Sequence, residues 1–299
     1  MIAFACVLAV ALGSQDPAAK PVVTTTFYPT EYLAARLAGD AATVRCPLPE
    51  DADPAFWKPT REQVLEIQKS ALIVVNGAGF EKWVDHANLP LSKTVYSSFG
   101  FRDEFIVLEH AVTHSHGGEG EHSHEGIDGH TWVDPKNASR QAEAIAKGLT
   151  RILPDQADAI AKRLDAIKAD FAALEDEFRA LGKLPEGTHL YASHPAYNYL
   201  ARRCGWPIVS LDFDPEEMPS DAALAALKES LKTKPATHLL WESEPKPEIA
   251  ARLEKECGLK SVTVSPCESL PADRRAKGED YLSVMRANVQ ALKVVFPGT

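Results

Sequence analysis

Residues 154–182, PDQADAIAKRLDAIKADFAALEDEFRALG, decide the fold of this 299-residue chain. Proline and glycine occur only at the two ends of this stretch, and apolar residues recur every three or four positions from Ile160 to Phe178. This spacing predicts one amphipathic helix of more than about seven turns. Patterns of alternating strands and helices lie on both sides of it. We therefore interpret the stretch as a rigid connector between two lobes.

Strand and helix patterns alternate before and after the connector. Short β-branched or apolar runs and amphipathic segments follow one another across residues 21–77. The alternation restarts with a predicted strand at 188–194, followed by a helix with Pro195 in its first turn. Consecutive strand–helix units predict parallel sheets. The expected fold is α/β, with two Rossmann-like lobes whose parallel sheets are joined by one long rigid helix.

These patterns divide the chain into four segments. We expect a signal peptide at 1–20, an N-terminal lobe at 21–153 with a histidine-rich loop at 110–130, a linker helix at 154–183 and a C-terminal lobe at 184–299. The signal peptide is predicted from a short apolar run followed by small residues, and the run is too short to span a bilayer. Export permits disulfides, so three pairings stay open among Cys46, Cys204, Cys257 and Cys267.

Composition and charge exclude one class of partner. The chain has 45% hydrophobic and 25% charged residues, which is ordinary for a globular protein. Its formal net charge is −10 with histidine neutral. Proteins that bind nucleic acids need a basic face for the phosphates. We therefore expect no nucleic-acid partner.

The stretch HAVTHSHGGEGEHSHEGIDGHTWVDP, residues 110–135, contains six of the ten histidines. Imidazole is a common ligand of zinc and related metals. Two interpretations stay open for most of this tract: a flexible loop that collects metal, helped by acidic residues such as Asp128, and a solvated loop with no fixed role. The histidines concerned are His110, His114, His116, His122 and His124.

Two other histidine positions suit a ligand site in an α/β fold. Ligands bind beyond the carboxyl ends of the strands in open parallel sheets. His194 ends a predicted strand just before a helix, and His130 leads into a helix start at Asp134. Each side chain can project into a cleft between the lobes. We therefore expect His130 and His194 to be metal ligands.

Five motifs occur in the order and spacing of a known family. They are FYP at 27–29, NGAGFEKW at 76–83, HTWVDP at 130–135, SHPAY at 193–197 and YLSVMRAN at 281–288. Together they resemble the zinc/manganese solute-binding proteins of ABC importers, in the zinc-uptake-like part of cluster A-I. The resemblance implies two four-stranded α/β lobes joined by one helix. It also implies capture of a divalent metal outside the cytoplasm and delivery to a membrane permease.

The resemblance also implies four metal-ligand positions, two of which match. His130 and His194 carry over directly. Ala55 stands where the family usually has a histidine, and Ser265 stands where it usually has an aspartate. Two imidazoles alone leave a tetrahedral metal short of two protein ligands. An altered metal site is therefore expected.

Glu268 and Cys267 follow Ser265 and are the predicted substitute ligands. A thiolate with two imidazoles suits zinc over manganese, and a carboxylate is a harder ligand. A second acidic group, at 50–53, precedes Ala55 and is interpreted as a solvated turn. Zn²⁺ is the expected metal because of the histidine content, with Mn²⁺ or another divalent transition metal as the alternative.

We expect a metal-binding transport protein rather than an enzyme. It is expected in the periplasm or on the cell surface, as a monomer, with an ABC permease as its partner. Two alternatives stay open. The departures at Ala55 and Ser265 favour a degenerate relative that serves as an adhesin or scaffold. Two histidines with open coordination positions also suit a zinc hydrolase, although the sequence has no His-Glu-x-x-His motif.

Overall fold

The computed structural model describes residues 19–115 and 121–296. Most of the predicted signal peptide lies outside these residues, as does His116 of the histidine-rich tract. Within them, no helix is both long enough and apolar enough to cross a membrane. The described strands form two four-stranded sheets and one two-stranded sheet.

Four parallel strands form the sheet of the N-terminal lobe. They are β1 (Val22–Thr25), β2 (Thr43–Arg45), β3 (Leu72–Val75) and β4 (Thr94–Tyr96). The order across the sheet is β2-β1-β3-β4. The helices of this lobe are α1 (Tyr28–Ala38), α2 (Arg61–Gln68) and α3 (Pro135–Ile152). Every residue of β3 is buried, as expected for an inner parallel strand covered on both faces.

An antiparallel hairpin lies between β4 and α3. Its strands are β5 (Val107–Ser115) and β6 (Glu121–Ile127), and their register pairs His114 with His122. The prediction of a loop is therefore wrong for these residues. Glycine is concentrated in the centre of the tract, whereas β5 contains the β-branched residues Val112 and Thr113, which favour strands.

The C-terminal lobe has a second sheet of four parallel strands. They are β7 (Leu190–Ala192), β8 (Ile208–Ser210), β9 (His238–Trp241) and β10 (Lys260–Thr263). Its helices are α5 (Asn198–Cys204), α6 (Asp221–Thr233), α7 (Pro247–Cys257), α8 (Ala272–Ala276) and α9 (Tyr281–Leu292). Helix α5 begins three residues after Pro195, because the chain first forms a tight turn in which the N–H of Ala196 donates to the carbonyl of His194.

Both lobes have the same strand order. In each lobe the first strand lies between the second and third, giving β2-β1-β3-β4 and β8-β7-β9-β10. In sheets of this kind the ligand crevice lies beyond the carboxyl ends of the first and third strands, where the connections diverge. The predicted α/β fold of two lobes with parallel sheets is confirmed.

Helix α4 (Ala157–Ala180) connects the lobes and follows a short 3-10 turn at Pro154–Gln156. Of the six apolar residues that predict it, Leu164 is half-buried. The other five are buried: Ile160, Ile167, Phe171, Leu174 and Phe178. Ion pairs attach the helix to both lobes, from Arg36 to Asp170 at 2.6 Å and from Arg286 to Glu177 at 3.1 Å.

Free thiols are carried by all four cysteines in the described part of the chain: Cys46, Cys204, Cys257 and Cys267. None of the disulfide pairings that the sequence leaves open is formed between them. Burial raises the pKa of Cys46 to about 11 and that of Cys204 to about 12. These two thiols therefore stay protonated at neutral pH.

Candidate metal site

His130 lies at the carboxyl end of the N-terminal sheet, although the strand before it belongs to the hairpin. Asn76, the residue after β3, donates its amide to the carbonyl of Gly129 at 2.9 Å and accepts from the hydroxyl of Thr131 at 3.0 Å. A Cβ at position 129 would lie 2.9 Å from the Cβ of Phe80 and 3.0 Å from its Cα. The close approach therefore requires glycine. These contacts hold His130 at the predicted ligand crevice.

Both ring nitrogens of His130 have carboxylate partners. Nδ1 lies 2.9 Å from Oδ1 of Asp128, and Nε2 lies 3.0 Å from Oε1 of Glu268. Burial lowers the pKa of His130, but its hydrogen bonds with Asp128 and Glu268 outweigh this effect and raise the pKa to about 10. With these partners the ring is an imidazolium at neutral pH, with a proton on each nitrogen.

Asp128 decides which nitrogen of His130 is available to a metal. Oδ1 of Asp128 accepts from both the main-chain N–H and Nδ1 of His130, each at 2.9 Å. Histidines that bind zinc usually donate their other ring N–H to such a carboxylate. Nε2 is then the ring nitrogen left for a metal. Nitrogen and oxygen ligands of tetrahedral zinc lie about 3.3 Å apart, so the pair Nε2 and Oε1 of Glu268 needs only a small shift to accept zinc in place of the shared proton.

His194 lies two residues beyond β7, at the carboxyl end of the C-terminal sheet. It is 6% exposed, and its ring centroid lies 5.2 Å from that of His130, with the ring planes at 83°. Two imidazoles bound to one tetrahedral zinc ion have ring centroids about 5 Å apart. The structure thus brings the two predicted histidines together from different lobes, at the separation that a shared metal requires.

Glu268 and Cys267 are adjacent in sequence but have different surroundings. Glu268 is partly exposed and contacts His130. Cys267 is 1% exposed within the hydrophobic core and adopts a φ of +60°, which is rare for a residue with a side chain. Burial raises the pKa of its thiol, which disfavours the thiolate that a metal needs. These surroundings argue against Cys267 as a ligand, whereas Glu268 lies beside His130 and stays a candidate.

The two positions that depart from the family pattern have local structural roles. Ala55 is 5% exposed, and its N–H donates to Oδ1 of Asp53 at 2.8 Å. The hydroxyl of Ser265 accepts from the N–H of Cys267 at 3.1 Å. The side-chain amide of Asn288 bonds both main-chain groups of Ser265, accepting from its N–H at 2.9 Å and donating to its carbonyl at 2.6 Å.

An acidic cavity of about 710 Å³ opens between the lobes beside Glu268. Residues 50–54 line one side, and Ser265 and Arg274 contribute to the other. Its further acidic residues are Glu50, Asp51, Asp53, Glu242 and Glu244. A cleft lined by one sign of charge concentrates ions of the opposite sign. The acidic group at 50–53, interpreted as a solvated turn, thus faces this cavity.

The site is not arranged as a finished metal centre. Among the residues described, no group of three or more His, Cys, Asp or Glu side chains is already placed to hold a metal ion. Nε2 of His130 and Oε1 of Glu268 are instead hydrogen-bonded to each other at 3.0 Å. A metal that binds both groups must therefore replace this hydrogen bond and shift the side chain of Glu268.

Asp128 and Asn198 are part of the site but are not predicted as such. Asp128 is predicted only as one of the acidic residues of the tract, yet it is 2% exposed and its Oδ2 accepts from the amide of Asn198 at 3.0 Å. The sequence does contain a signal for the role of Asp128, because an aspartate two residues before a histidine can accept a hydrogen bond from the ring of that histidine. The hydrogen bond between Asp128 and Asn198 joins residues of different lobes, so no local sequence pattern predicts it.

A sequence model of a protein family, described as zinc-uptake complex component A, periplasmic, matches residues 23–295. The chain belongs to this family. The match spans both lobes, the connecting helix and all five motifs from 27–29 to 281–288. The predicted relationship with zinc-type solute-binding proteins is therefore confirmed.

Individual members of this zinc-uptake family cover most of the chain. The zinc-binding lipoprotein AdcA of Streptococcus pneumoniae is 30% identical over 300 residues, which are 98% of this chain and 60% of that protein. The high-affinity zinc uptake system protein ZnuA of Bacillus subtilis is 29% identical over 295 residues, which are 94% of this chain and 89% of that protein. The chain thus spans about 60% of the length of AdcA.

A solved structure supports the same fold. The Zn(II)-bound ZnuA-like domain of Streptococcus pneumoniae AdcA superposes with a TM-score of 0.77 at 28% identity. The superposition covers 93% of this chain and 99% of that domain. The similarity therefore includes both lobes and the helix between them.

Proposed function

We propose that this chain is the extracytoplasmic solute-binding component of a zinc ABC importer. The observation that carries the proposal is the meeting of His130, His194 and Glu268 from two lobes at the carboxyl ends of both sheets. Nε2 of His130 lies 3.0 Å from Glu268, and the centroids of the two histidine rings lie 5.2 Å apart. Membership of the zinc-uptake family supports zinc as the cargo.

The proposed ligands are Nε2 of His130, the ring of His194 and the carboxylate of Glu268. Two neutral imidazoles and one carboxylate satisfy three positions of a tetrahedral zinc ion, and water or the second oxygen of Glu268 completes the shell. Nitrogen ligands favour zinc over manganese, which prefers oxygen. The acidic cavity beside Glu268 supplies a path along which cations are attracted.

The proposal extends to location and partners. The family description names a periplasmic uptake component, which supports an exported protein, a signal peptide at 1–20 and a membrane permease as the recipient of the metal. A monomer agrees with a site formed by the two lobes of one chain. The description of an uptake component also supports a binding protein rather than a zinc hydrolase.

Zinc titration of the mature protein, by competition with a chelator of known affinity, tests the proposal. We expect about one zinc ion per chain and a loss of at least about 100-fold in affinity for His130→Ala and for His194→Ala, since each removes a ligand. Glu268→Gln is expected to weaken binding about 10–100-fold. His86→Ala is the matched control, because His86 is an exposed histidine on the surface of the N-terminal lobe.

The outcomes separate the alternatives. Binding that survives both histidine changes but disappears when residues 110–124 are deleted would assign the metal to the hairpin. If no version of the protein binds zinc, the adhesin or scaffold suggested by Ala55 and Ser265 becomes the better explanation. Zinc-dependent hydrolytic turnover would favour the hydrolase.

A further inference from the structure

A chain of hydrogen bonds crosses between the lobes beside His130. The hydroxyl of Ser210 donates to Oδ1 of Asn198 at 3.1 Å, and the amide of Asn198 donates to Oδ2 of Asp128 at 3.0 Å. Oδ1 of Asp128 then accepts from Nδ1 of His130 at 2.9 Å. Ser210 and Asn198 belong to the C-terminal lobe, whereas Asp128 and His130 belong to the N-terminal lobe. A residue of one lobe thus supports a ligand of the other.

We propose that Asp128 and Asn198 are positioning residues for metal binding. Asp128 fixes the orientation of the His130 ring, and Asn198 fixes Asp128 as long as the two lobes are in contact. The inference rests on the proposed function, because it assigns these residues a role in zinc binding at the same site. With this role, the affinity for zinc depends on a hydrogen bond between the lobes whose two residues are not metal ligands.

Both the carboxylate and the main chain of Asp128 are hydrogen-bonded. Its side chain is fully buried and accepts from His130 twice and from Asn198 once. Its carbonyl accepts from the hydroxyl of Tyr199 at 2.8 Å, and its N–H donates to the carbonyl of Ile106 at 2.8 Å. Rotation of this carboxylate leaves buried donors without partners, which is costly. Asp128 therefore presents one geometry to His130.

The orientation of the Asn198 amide follows from its three neighbours. Its NH₂ group donates to Oδ2 of Asp128 at 3.0 Å and to the carbonyl of Pro195 at 3.4 Å. The oxygen of the amide then faces Ser210, whose hydroxyl can donate to it. The contact between the lobes thus requires a donor at position 198 and an acceptor at position 128.

The substitution Asn198→Asp separates positioning from simple attraction of charge. It adds a negative charge near the site, which by Coulombic attraction alone tightens the binding of Zn²⁺. If Asn198 acts by donating to Asp128, the same substitution weakens binding, because two carboxylates then face each other. We expect a loss of about 10–100-fold.

Exchanging the residues at positions 128 and 198 is expected to restore part of the zinc affinity. Asp128→Asn alone is also expected to weaken binding about 10–100-fold, because its new amide donor faces the donor of Asn198. In the double variant D128N/N198D, the new amide at 128 still accepts from His130 through its oxygen and donates to the new carboxylate at 198. We expect the double variant to bind zinc at least about tenfold more tightly than Asn198→Asp.

Asn88→Asp is the matched control, because it makes the same exchange of an amide for a carboxylate at an exposed position of the N-terminal lobe. We expect it to leave the zinc affinity within about threefold of the starting value. Affinities are measured by chelator competition, and the melting temperature of each zinc-free variant is measured alongside. Should Asn198→Asp fail to fold, Asn198→Leu removes the donor without adding charge and is expected to weaken binding about tenfold.

The results distinguish the inference from the function on which it rests. If Asn198→Asp, or Asn198→Leu in its place, binds zinc as tightly as the unchanged protein, the positioning role is wrong while the transport role stands. The same holds if the double variant binds no better than Asn198→Asp. If the unchanged protein binds no zinc, the proposed function itself fails and the inference fails with it.

Discussion

The affinity for zinc is expected to rise steeply with pH, because zinc must displace a proton from His130. Hydrogen bonds with Asp128 and Glu268 overcome the effect of burial and raise the pKa of this ring to about 10. Zinc binds only the deprotonated Nε2. If zinc takes Nε2 as proposed, each binding event at neutral pH releases one proton.

The magnitude follows from the distance between pH 7 and the pKa. At pH 7 the ring is about three pH units below its pKa, so about one molecule in a thousand has a free Nε2. Deprotonation then costs about 4 kcal/mol of the gross binding energy. This cost falls by about 1.4 kcal/mol for each pH unit, so the Kd is expected to fall about tenfold per unit between pH 7 and pH 8.5.

Whereas the zinc affinity rises with pH, the stability of the zinc-free protein is expected to fall with pH. The pKa of His130 is raised in the folded state from its ordinary value of 6.5, so its stabilising contribution is full below that pH and is lost as the pH rises towards 10. The free energy of unfolding of the zinc-free protein should therefore fall between pH 7 and pH 9. Zinc-saturated protein lacks this proton and should not show this fall.

Calorimetric titration in buffers with different heats of ionisation counts the protons released, and chelator competition at each pH gives the Kd. We expect about one proton per zinc ion at pH 7.5, and a smaller pH dependence in His130→Ala through any residual binding. A Kd that stays constant from pH 7 to pH 8.5, or a titration without proton release, would contradict a role for His130 Nε2 as a zinc ligand.

Three further substitutions test the structural support of the site. Gly129→Ala places a Cβ against Phe80 and is expected to lower the free energy of unfolding by about 1–3 kcal/mol in urea titrations, with weaker zinc binding. Cys267→Ala removes a buried thiol and should lower this free energy by about 1 kcal/mol while chelator competition shows an unchanged zinc affinity. Nη2 of Arg203 lies 2.9 Å from Oδ2 of Asp134, which is 1% exposed. Arg203→Gln removes this charged partner and is expected to cost about 1–3 kcal/mol in the same unfolding measurement.

The fold was predictable because each lobe consists of strand–helix units whose patterns are local in the sequence. The stripe from Ile160 to Phe178 predicts the connecting helix from spacing alone, and five of its six apolar positions are buried. The start of α5 was less predictable. Pro195 suits a first helical turn, but the turn between His194 and Ala196 delays the helix to Asn198. That delay brings the amide of Asn198 within reach of the other lobe.

The candidate metal site could be predicted only at its two histidines. His130 and His194 are recognisable as imidazoles at the ends of strands, and the structure brings their rings within 5.2 Å of each other. The choice between Glu268 and Cys267 depends on the left-handed conformation of Cys267, which places neighbouring side chains in different surroundings. A positive φ at Cys267 could not be predicted from the sequence, because cysteine rarely adopts this conformation.

Ser265 forms a local turn beside the candidate metal site. Its hydroxyl accepts from the N–H of Cys267, a turn that an aspartate side chain also forms. Ser265→Asp can therefore keep this hydrogen bond through one oxygen and offer the other to the metal. At an effective dielectric constant of about 20, a charge about 4 Å from a cation contributes several kcal/mol before desolvation, so we expect zinc affinity to rise at least about tenfold.

The control for this prediction is Ser269→Asp, which adds the same charge to the same acidic cavity at an exposed position. A general electrostatic effect raises the zinc affinity of both variants to a similar degree, whereas direct ligation raises it mainly in Ser265→Asp. Comparison at high ionic strength sharpens the contrast, because screening weakens the exposed charge more than the half-buried one. Equal affinities of the two variants at high salt would contradict a ligand role for position 265. They would leave Glu268 as the single anionic ligand that this site accepts.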